Sequence, residues 1–303
     1  MSPPTDPPRP VLCVGEVLWD SVPDGLRLGG APFNVAWHLA QLGRPAQLAS
    51  RVGDDALGRE ALRRAGAGGV DVSRVQTDPA LPTGFVGVAL DDAGVPSYDI
   101  ARPAAWDAIA PDPDAVAAAE ASAAVVFGSL AQRDARSRRA VRALAAAAPL
   151  AVFDVNLRPP FDDREVVGAS MDASDVVKLS DDELGQLGAW FGLPGGLRAA
   201  AEEVGRRFGC RAVCVTRGAD GAALWHRGRW AEHPGVRVAV GDTVGAGDAF
   251  LAGLLAAWLA GDDDEAALDR ASRLGAFVAS RSGATPTYSA RDVGHDAAGG
   301  PGG

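Results

Sequence analysis

The 303-residue sequence predicts an α/β protein built on a mostly parallel sheet. Two observations carry that expectation. Short apolar runs alternate with longer Ala- and Leu-rich stretches of helical periodicity, as successive βαβ units do. Unusual polar residues stand directly after the apolar runs, at the rim where open α/β sheets bind ligands. The expected strands are 11–14, 46–50, 124–127, 150–154, 176–179, 212–216 and 237–240. Helical patterns cover 34–42, 56–65, 137–147 and 197–208. At 83–90 the pattern alternates in strand fashion, reaches Asp91-Asp92-Ala93-Gly94 and resumes at 95–100. That spacing predicts a β-hairpin outside the main sheet. Residues 291–303, rich in Gly, Asp and Ala without periodicity, are expected to be a disordered tail, leaving 11–290 as a single domain.

Composition excludes several functions. Lys and Arg total 29 against 39 Asp and Glu, a net charge of −10, so no basic stripe is available for a nucleic-acid backbone. The opening MSPPTDPPRP lacks the apolar core of a secretory signal, and the apolar stretch 249–260 is too short to span a bilayer. A cytoplasmic protein with no membrane partner is the expectation. Cys13, Cys210 and Cys214 lie in apolar segments and are odd in number, which suits buried free thiols in a reducing compartment. His38, His226, His233 and His295 show no metal-ligand spacing. Lys178 is the only lysine, and its neighbours Val177 and Leu179 exclude a Walker-type phosphate loop.

The strongest motif is Gly241-Asp242-Thr243-Val244-Gly245-Ala246-Gly247-Asp248. It precedes a helical pattern in which Phe250, Leu251, Leu254, Leu255 and Trp258 recur. The first amides of a helix lack intrahelical partners, so small residues there make an anion hole for a phosphoryl group. Asp248 then stands in the first turn, placed to take a proton from an attacking hydroxyl. A plain helix-capping aspartate is the alternative. A dinucleotide fingerprint fits poorly, because Phe250 stands where a third small residue is required. Near the start, Gly29-Gly30-Ala31-Pro32-Phe33-Asn34 combines a tight turn with an amide suited to hydroxyl groups, and Asp20 adds a carboxylate acceptor. Here the alternative is an Asn helix cap.

Together these two motifs resemble the signatures of the PfkB (ribokinase-like) carbohydrate kinases. Minor matches follow in order: Gly53-x-Asp55-x-Leu57-Gly58, Asp154-x-Asn156-x-Arg158, Lys178-Leu-Ser180-Asp-Asp-Glu183 and Thr216-Arg-Gly218-Ala-Asp-Gly221. The resemblance implies a three-layer sandwich around a mostly parallel sheet, with a small β-sheet lid from about 18–32 and 83–104. It implies transfer of the ATP γ-phosphate to a sugar hydroxyl. By match of motif Asp248 is the general base, and the Gly245, Ala246 and Gly247 amides form the anion hole. Asp20, Gly29, Gly30 and Asn34 take the sugar, Thr216, Gly218, Gly221 and Asp242 the nucleotide, and Glu183 a water-bridged Mg²⁺. K⁺ near Asp242 and a homodimer through the lid are further implications.

The residues themselves agree in part. Asp154, Asn156 and Arg158 would alternate onto one side of a strand, so that Arg158 meets a sugar or a phosphoryl oxygen; pairing with Asp162 or Asp163 is the alternative. Arg102, just after the hairpin, reaches substrate from the lid or is simply solvated. The Gly15-Glu16-x-x-x-Asp20 opening and Gly-Gly-Ala-Pro before Asn34 look most like the fructokinase branch, with 2-keto-3-deoxygluconate kinases sharing parts of the pattern. A binding protein without catalysis and a nicotinamide-dependent dehydrogenase are the readings from other classes.

Overall fold

A computed structural model describes residues 8–23, 25–90 and 96–294. The central strands form where short runs are apolar at every position, because a parallel sheet is covered on both faces. These are β1 (Val11–Val14), β8 (Ala124–Gly128), β9 (Ala151–Asp154), β10 (Val176–Ser180) and β11 (Ala212–Thr216), nearly all of whose residues are buried. β4 (Ala46–Gly53) and β5 (Asp71–Asp78) extend the sheet on one side. β12 (Ala222–His226) and β13 (Arg229–His233) close the other side as an antiparallel hairpin. The order is β13-β12-β11-β10-β9-β8-β1-β4-β5. All strands from β5 to β11 in that order run parallel. Their carboxyl ends therefore share one rim.

Alternation along each strand divides the core in two. Val11, Cys13, Val152, Val176 and Cys214 pack with α1 (Ala31–Gln41), α2 (Ala56–Ala67), α8 (Ala246–Ala260) and α9 (Asp264–Ala279). Leu12, Val14, Phe153, Val177 and Val213 pack with α3 (Pro113–Ala121), α4 (Ala135–Ala147), α5 (Arg164–Asp172), α6 (Asp181–Phe191) and α7 (Leu197–Phe208). Side-chain caps start most of these helices; the Asp55 carboxylate, for example, accepts the Gly58 amide at 2.7 Å.

A separate four-stranded sheet, β3-β2-β6-β7, is built from β2 (Leu18–Val22), β3 (Gly25–Gly29), β6 (Gly84–Leu90) and β7 (Pro96–Ile100). Trp19 anchors it, buried and donating from Nε1 to the Leu57 carbonyl at 3.1 Å. The expected hairpin is thus two antiparallel strands of this second sheet, although its turn, 91–95, lies outside the described residues. Three features differ from expectation. Residues 237–240 form no strand; all four are exposed, with Val240 67 % accessible, and their valine alternation has no neighbour to pair with. The tail does not begin at 291, since Ala290–Val293 is a 3₁₀ turn that buries Val293; His295 and the rest lie outside the described residues. Finally, β5 and β13 carry too many polar residues to announce themselves as sheet members.

Candidate active site

The anion-hole motif folds as the entry to α8. Gly245 takes φ +78° as its N-cap, and a Cβ there would sit 2.5 Å from that of Ala284, so glycine is required. Among the described residues the N–H groups of Gly245, Gly247 and Asp248 have no protein acceptor, whereas that of Ala246 turns back to the Thr243 carbonyl at 3.2 Å. Three free amides remain, with Asp248 replacing Ala246 in the set expected from sequence. Asp248 is not a helix cap, because α8 has no side-chain cap. Its carboxylate is buried and accepts the Asn34 Nδ2 at 2.7 Å. Burial pushes the Asp248 carboxyl above the ordinary range, while Lys178, the Asn34 amide and Arg158 pull it back.

Asn34 is not a cap either. α1 begins at Ala31, after Gly30 at φ +114°, and the Asn34 amide donates to the Gly30 carbonyl inside the first turn. Its side chain is free to meet a partner 214 residues away. Gly29 leaves room nearby for Asp20, since a Cβ would lie 2.7 Å from Asp20 Oδ2 and push that carboxylate aside. Asp20 sits on β2 opposite Arg27 of β3, and burial raises its carboxyl to about 6 against the pull of Arg158. The sequence assigned no role to Glu16, yet its side chain is 2 % exposed, with Oε1 accepting the Ala31 amide at 3.3 Å and Oε2 lacking a partner. Burial raises this carboxyl too, and it shares the fields of Arg158 and Asp248.

Arg158 does not extend a strand. β9 ends at Asp154 and Asn156 adopts φ +40°, while Leu157 stays buried with Phe153 and Val155 in one core. Exposed at the rim, Arg158 donates to the Leu157 carbonyl at 2.8 Å. Asp162 and Asp163 are engaged elsewhere, by Gln186 and as the cap of α5. Arg102 is half-exposed and lies 3.7 Å from Asp134, with no contact to Asp20, Asn34 or Asp248. Glu183 Oε1 accepts the Leu157 amide and Oε2 the Ser180 amide, both at 2.7 Å. It therefore ties the loop after β9 to the start of α6, and each oxygen keeps a second lone pair. Asp242 caps its own turn, accepting Val244 and Gly283 amides at 3.0 and 3.1 Å, with Arg27 Nη1 at 3.5 Å.

Thr216 ends β11, and Gly218 and Gly221, at φ +54° and +84°, shape the turn that follows. Four strand spacings, roughly 19 Å, separate β11 from β1 along the rim. The Asp20–Asn34 end and the Thr216–Gly221 end thus flank the α8 entry. His38, one turn beyond Asn34, is buried between the Tyr288 hydroxyl at 2.8 Å and the Ala284 carbonyl at 2.9 Å. That carbonyl only accepts, so Nε2 carries the proton; burial lowers the ring to about 4, a packing role. The three cysteines are buried and unpaired, and no group of three His, Cys, Asp or Glu among the described residues could hold a metal. Likewise, no helix among them is long and apolar enough to cross a membrane.

A buried carboxylate beside free helix-entry amides, with the polar Asp20 and Asn34 side chains on one side and a glycine-shaped loop on the other, has the chemistry that phosphoryl transfer needs. Comparison with known proteins agrees. The profile of the pfkB family carbohydrate kinases matches residues 24–291. A fructokinase of Klebsiella pneumoniae is 33 % identical over 259 residues, covering 81 % of this chain and 83 % of that one. An ATP-dependent ribose-1-phosphate kinase of Halopiger xanaduensis is 34 % identical over 256 residues, covering 84 % and 81 %. The crystal structure of a fructokinase with bound ATP from Xylella fastidiosa superposes with a TM-score of 0.81 at 27 % identity, covering 92 % and 95 %. The nine-stranded sheet with its small second sheet is thus the ribokinase-like sandwich, and the chain belongs to the pfkB family of carbohydrate kinases.

Proposed function

We propose that this kinase phosphorylates fructose, transferring the ATP γ-phosphate to the primary hydroxyl to give fructose 6-phosphate. The observation that carries the reaction is the Asn34–Asp248 contact of 2.7 Å at the mouth of three unpartnered amides. Fructose would enter between Asp20, the Gly29–Gly30 turn and Asn34, beneath the small sheet acting as a lid. Asp248 takes the proton of the attacking hydroxyl while its oxygen bonds to the γ-phosphorus and the bond to ADP breaks. The Gly245, Gly247 and Asp248 amides receive the charge that gathers on the phosphoryl oxygens. Closure of the lid excludes water and so limits hydrolysis of ATP.

Substrate polarity favours a neutral polyol. Glu16, Asp20 and Asp248 place three carboxylates around one exposed arginine, Arg158. A sugar acid or sugar phosphate would find Arg158 as the one exposed cation among these carboxyl groups, which suit hydroxyls better than anions. The fructokinase relatives support the same choice, and a kinase of 2-keto-3-deoxygluconate or of a phosphorylated ribose is the alternative.

Mg²⁺ would arrive on the triphosphate, where it neutralises phosphoryl charge. It usually keeps several waters and takes few protein carboxylates, and the spare lone pairs of Glu183 suit a water-bridged contact. A K⁺ ion at Asp242 would share that carboxylate with Arg27. Strands β3 and β7 are the open edges of the small sheet, and pairing across one of them would make the homodimer.

The test is ADP release with ATP and Mg²⁺ against fructose, ribose, ribose 1-phosphate, 2-keto-3-deoxygluconate and glucose. Preferred turnover of fructose supports the proposal. A preference for an acidic or phosphorylated acceptor replaces the substrate, and no turnover on any of them would turn the site into one for binding alone.

A further inference from the structure

One buried charge pair has no part in the chemistry described above. The core strands of this sheet are apolar, yet β10 places Lys178 at its centre, 6 % exposed. The register sets it between Asp154 of β9 and Cys214 of β11, on the face that packs against α8. Its ammonium bonds both Asp154 oxygens, at 3.0 and 3.1 Å. A buried ion pair of this kind is weak evidence of stabilisation, because apolar residues of equal volume commonly serve as well. Its location is more informative. A Cβ on Gly247 would lie 3.0 Å from Lys178 Nζ, so the ammonium rests against the backbone of the second residue of α8, next to Asp248.

The residue type matters as well. Apart from histidine, every other basic side chain in the sequence is arginine. A compact ammonium fits under a glycine backbone, whereas a planar guanidinium needs more room and a different geometry. Two of the three ammonium donors are taken by Asp154, and that bidentate grip fixes Nζ in place.

We infer that Lys178, seated on Asp154 beneath Gly247, is a positioning residue of the transfer site: it holds the Gly245–Asp248 turn and keeps Asp248 a carboxylate when the substrates exclude water. The inference rests on Asp248 being the base. Electrostatics agree with the geometry. Burial works against the Lys178 charge, but Asp154, Asp248 and Glu183 outweigh it and hold the ammonium above the ordinary lysine range. In turn Lys178 is the foremost influence drawing Asp248 back down.

The test uses the full chain with three variants: Lys178→Met, the double variant Asp154→Leu/Lys178→Met, and Asp248→Asn. Thermal unfolding is measured alongside kcat and KM between about pH 5 and 9. Lys178→Met leaves Asp154 buried without its partner and is expected to lose stability, whereas the double variant removes both charges and regains it. Both are expected to lose kcat by about 10- to 100-fold at neutral pH with little change in KM. The acidic limb of the kcat profile moves up by about one unit in Lys178→Met and by less in the double variant, which also removes the Asp154 charge facing Asp248. A double variant with native kcat and a native limb overturns the inference, since the pair would then serve the fold alone. Should Lys178→Met fail to fold, the double variant decides. Asp248→Asn tests the underlying reading separately: native turnover there removes the base, and the inference with it, whatever Lys178 does.

Discussion

Replacing Asn34 by aspartate probes the site with almost no change of shape. The native amide donates to Asp248 Oδ2 at 2.7 Å, and both side chains are buried. Aspartate at 34 would turn the donor into a second carboxylate at that distance. Two unit charges about 4 Å apart repel by roughly 4 kcal/mol at an effective dielectric near 20, equal to about three pKa units. The pair would therefore retain one proton at neutral pH, titrating jointly as close carboxylates do. A base that holds a proton cannot accept another. Turnover of Asn34→Asp at neutral pH is expected to fall about 100-fold or more, recovering as pH rises towards the shifted macroscopic value. The assay is ADP release at saturating ATP and fructose across the pH range, with circular dichroism to establish the fold. A variant retaining turnover within about threefold of native at neutral pH, with its acidic limb unmoved, would show that residues 34 and 248 do not share a proton in the transfer site.

Further predictions follow from other contacts. Asp20 carries a carboxyl raised to about 6, against an unfolded value near 3.9, so the folded state holds the proton more tightly. Stability should then decline as pH rises from about 4 through about 6, and Asp20→Asn should flatten that slope in urea unfolding; an unchanged slope contradicts it. Gly245→Ala forces φ +78° on an L-residue and drives its methyl into Ala284, which should cost roughly 2–4 kcal/mol and most of the turnover, read by urea unfolding and ADP release. Arg133 and Asp107 form a 2.7 Å ion pair with both side chains 1 % exposed, and Arg133 stacks on the Trp106 ring at 3.8 Å. Arg133→Met leaves Asp107 unpaired and should cost roughly 3–5 kcal/mol in urea unfolding; a loss below about 1 kcal/mol would contradict a buried anchor there.

How far the fold could be read depended on where each strand sits. β1, β8, β9, β10 and β11 are covered on both faces, and continuous apolar runs made them legible. Strand-like alternation at 237–240 misled, because periodicity reports a side-chain pattern and not a pairing partner. The Arg229–His233 strand shows the converse, holding its place through its hairpin with β12 despite three polar residues and a charge-rich sequence. In the site, spacing identified Asp248 and Asn34 separately, but only folding brings them across 214 residues. Glu16 and Lys178 escaped notice as functional residues because their neighbours are apolar. The signal in each case was a charge placed where a buried strand or its end should carry none. Ala246 shows a finer limit: the motif predicts a row of amides, whereas one of them is consumed by the turn that presents the others.

The proposed transfer depends most on Asp248 as the proton acceptor. Its most direct test is the rate of fructose 6-phosphate formation in a single turnover, with native enzyme and Asp248→Asn each saturated with ATP. Loss of the base should slow that step by about 10²- to 10⁴-fold while fructose still binds. An Asp248→Asn enzyme forming product within about tenfold of the native rate would contradict that role, and would place the base elsewhere among the carboxylates around Arg158.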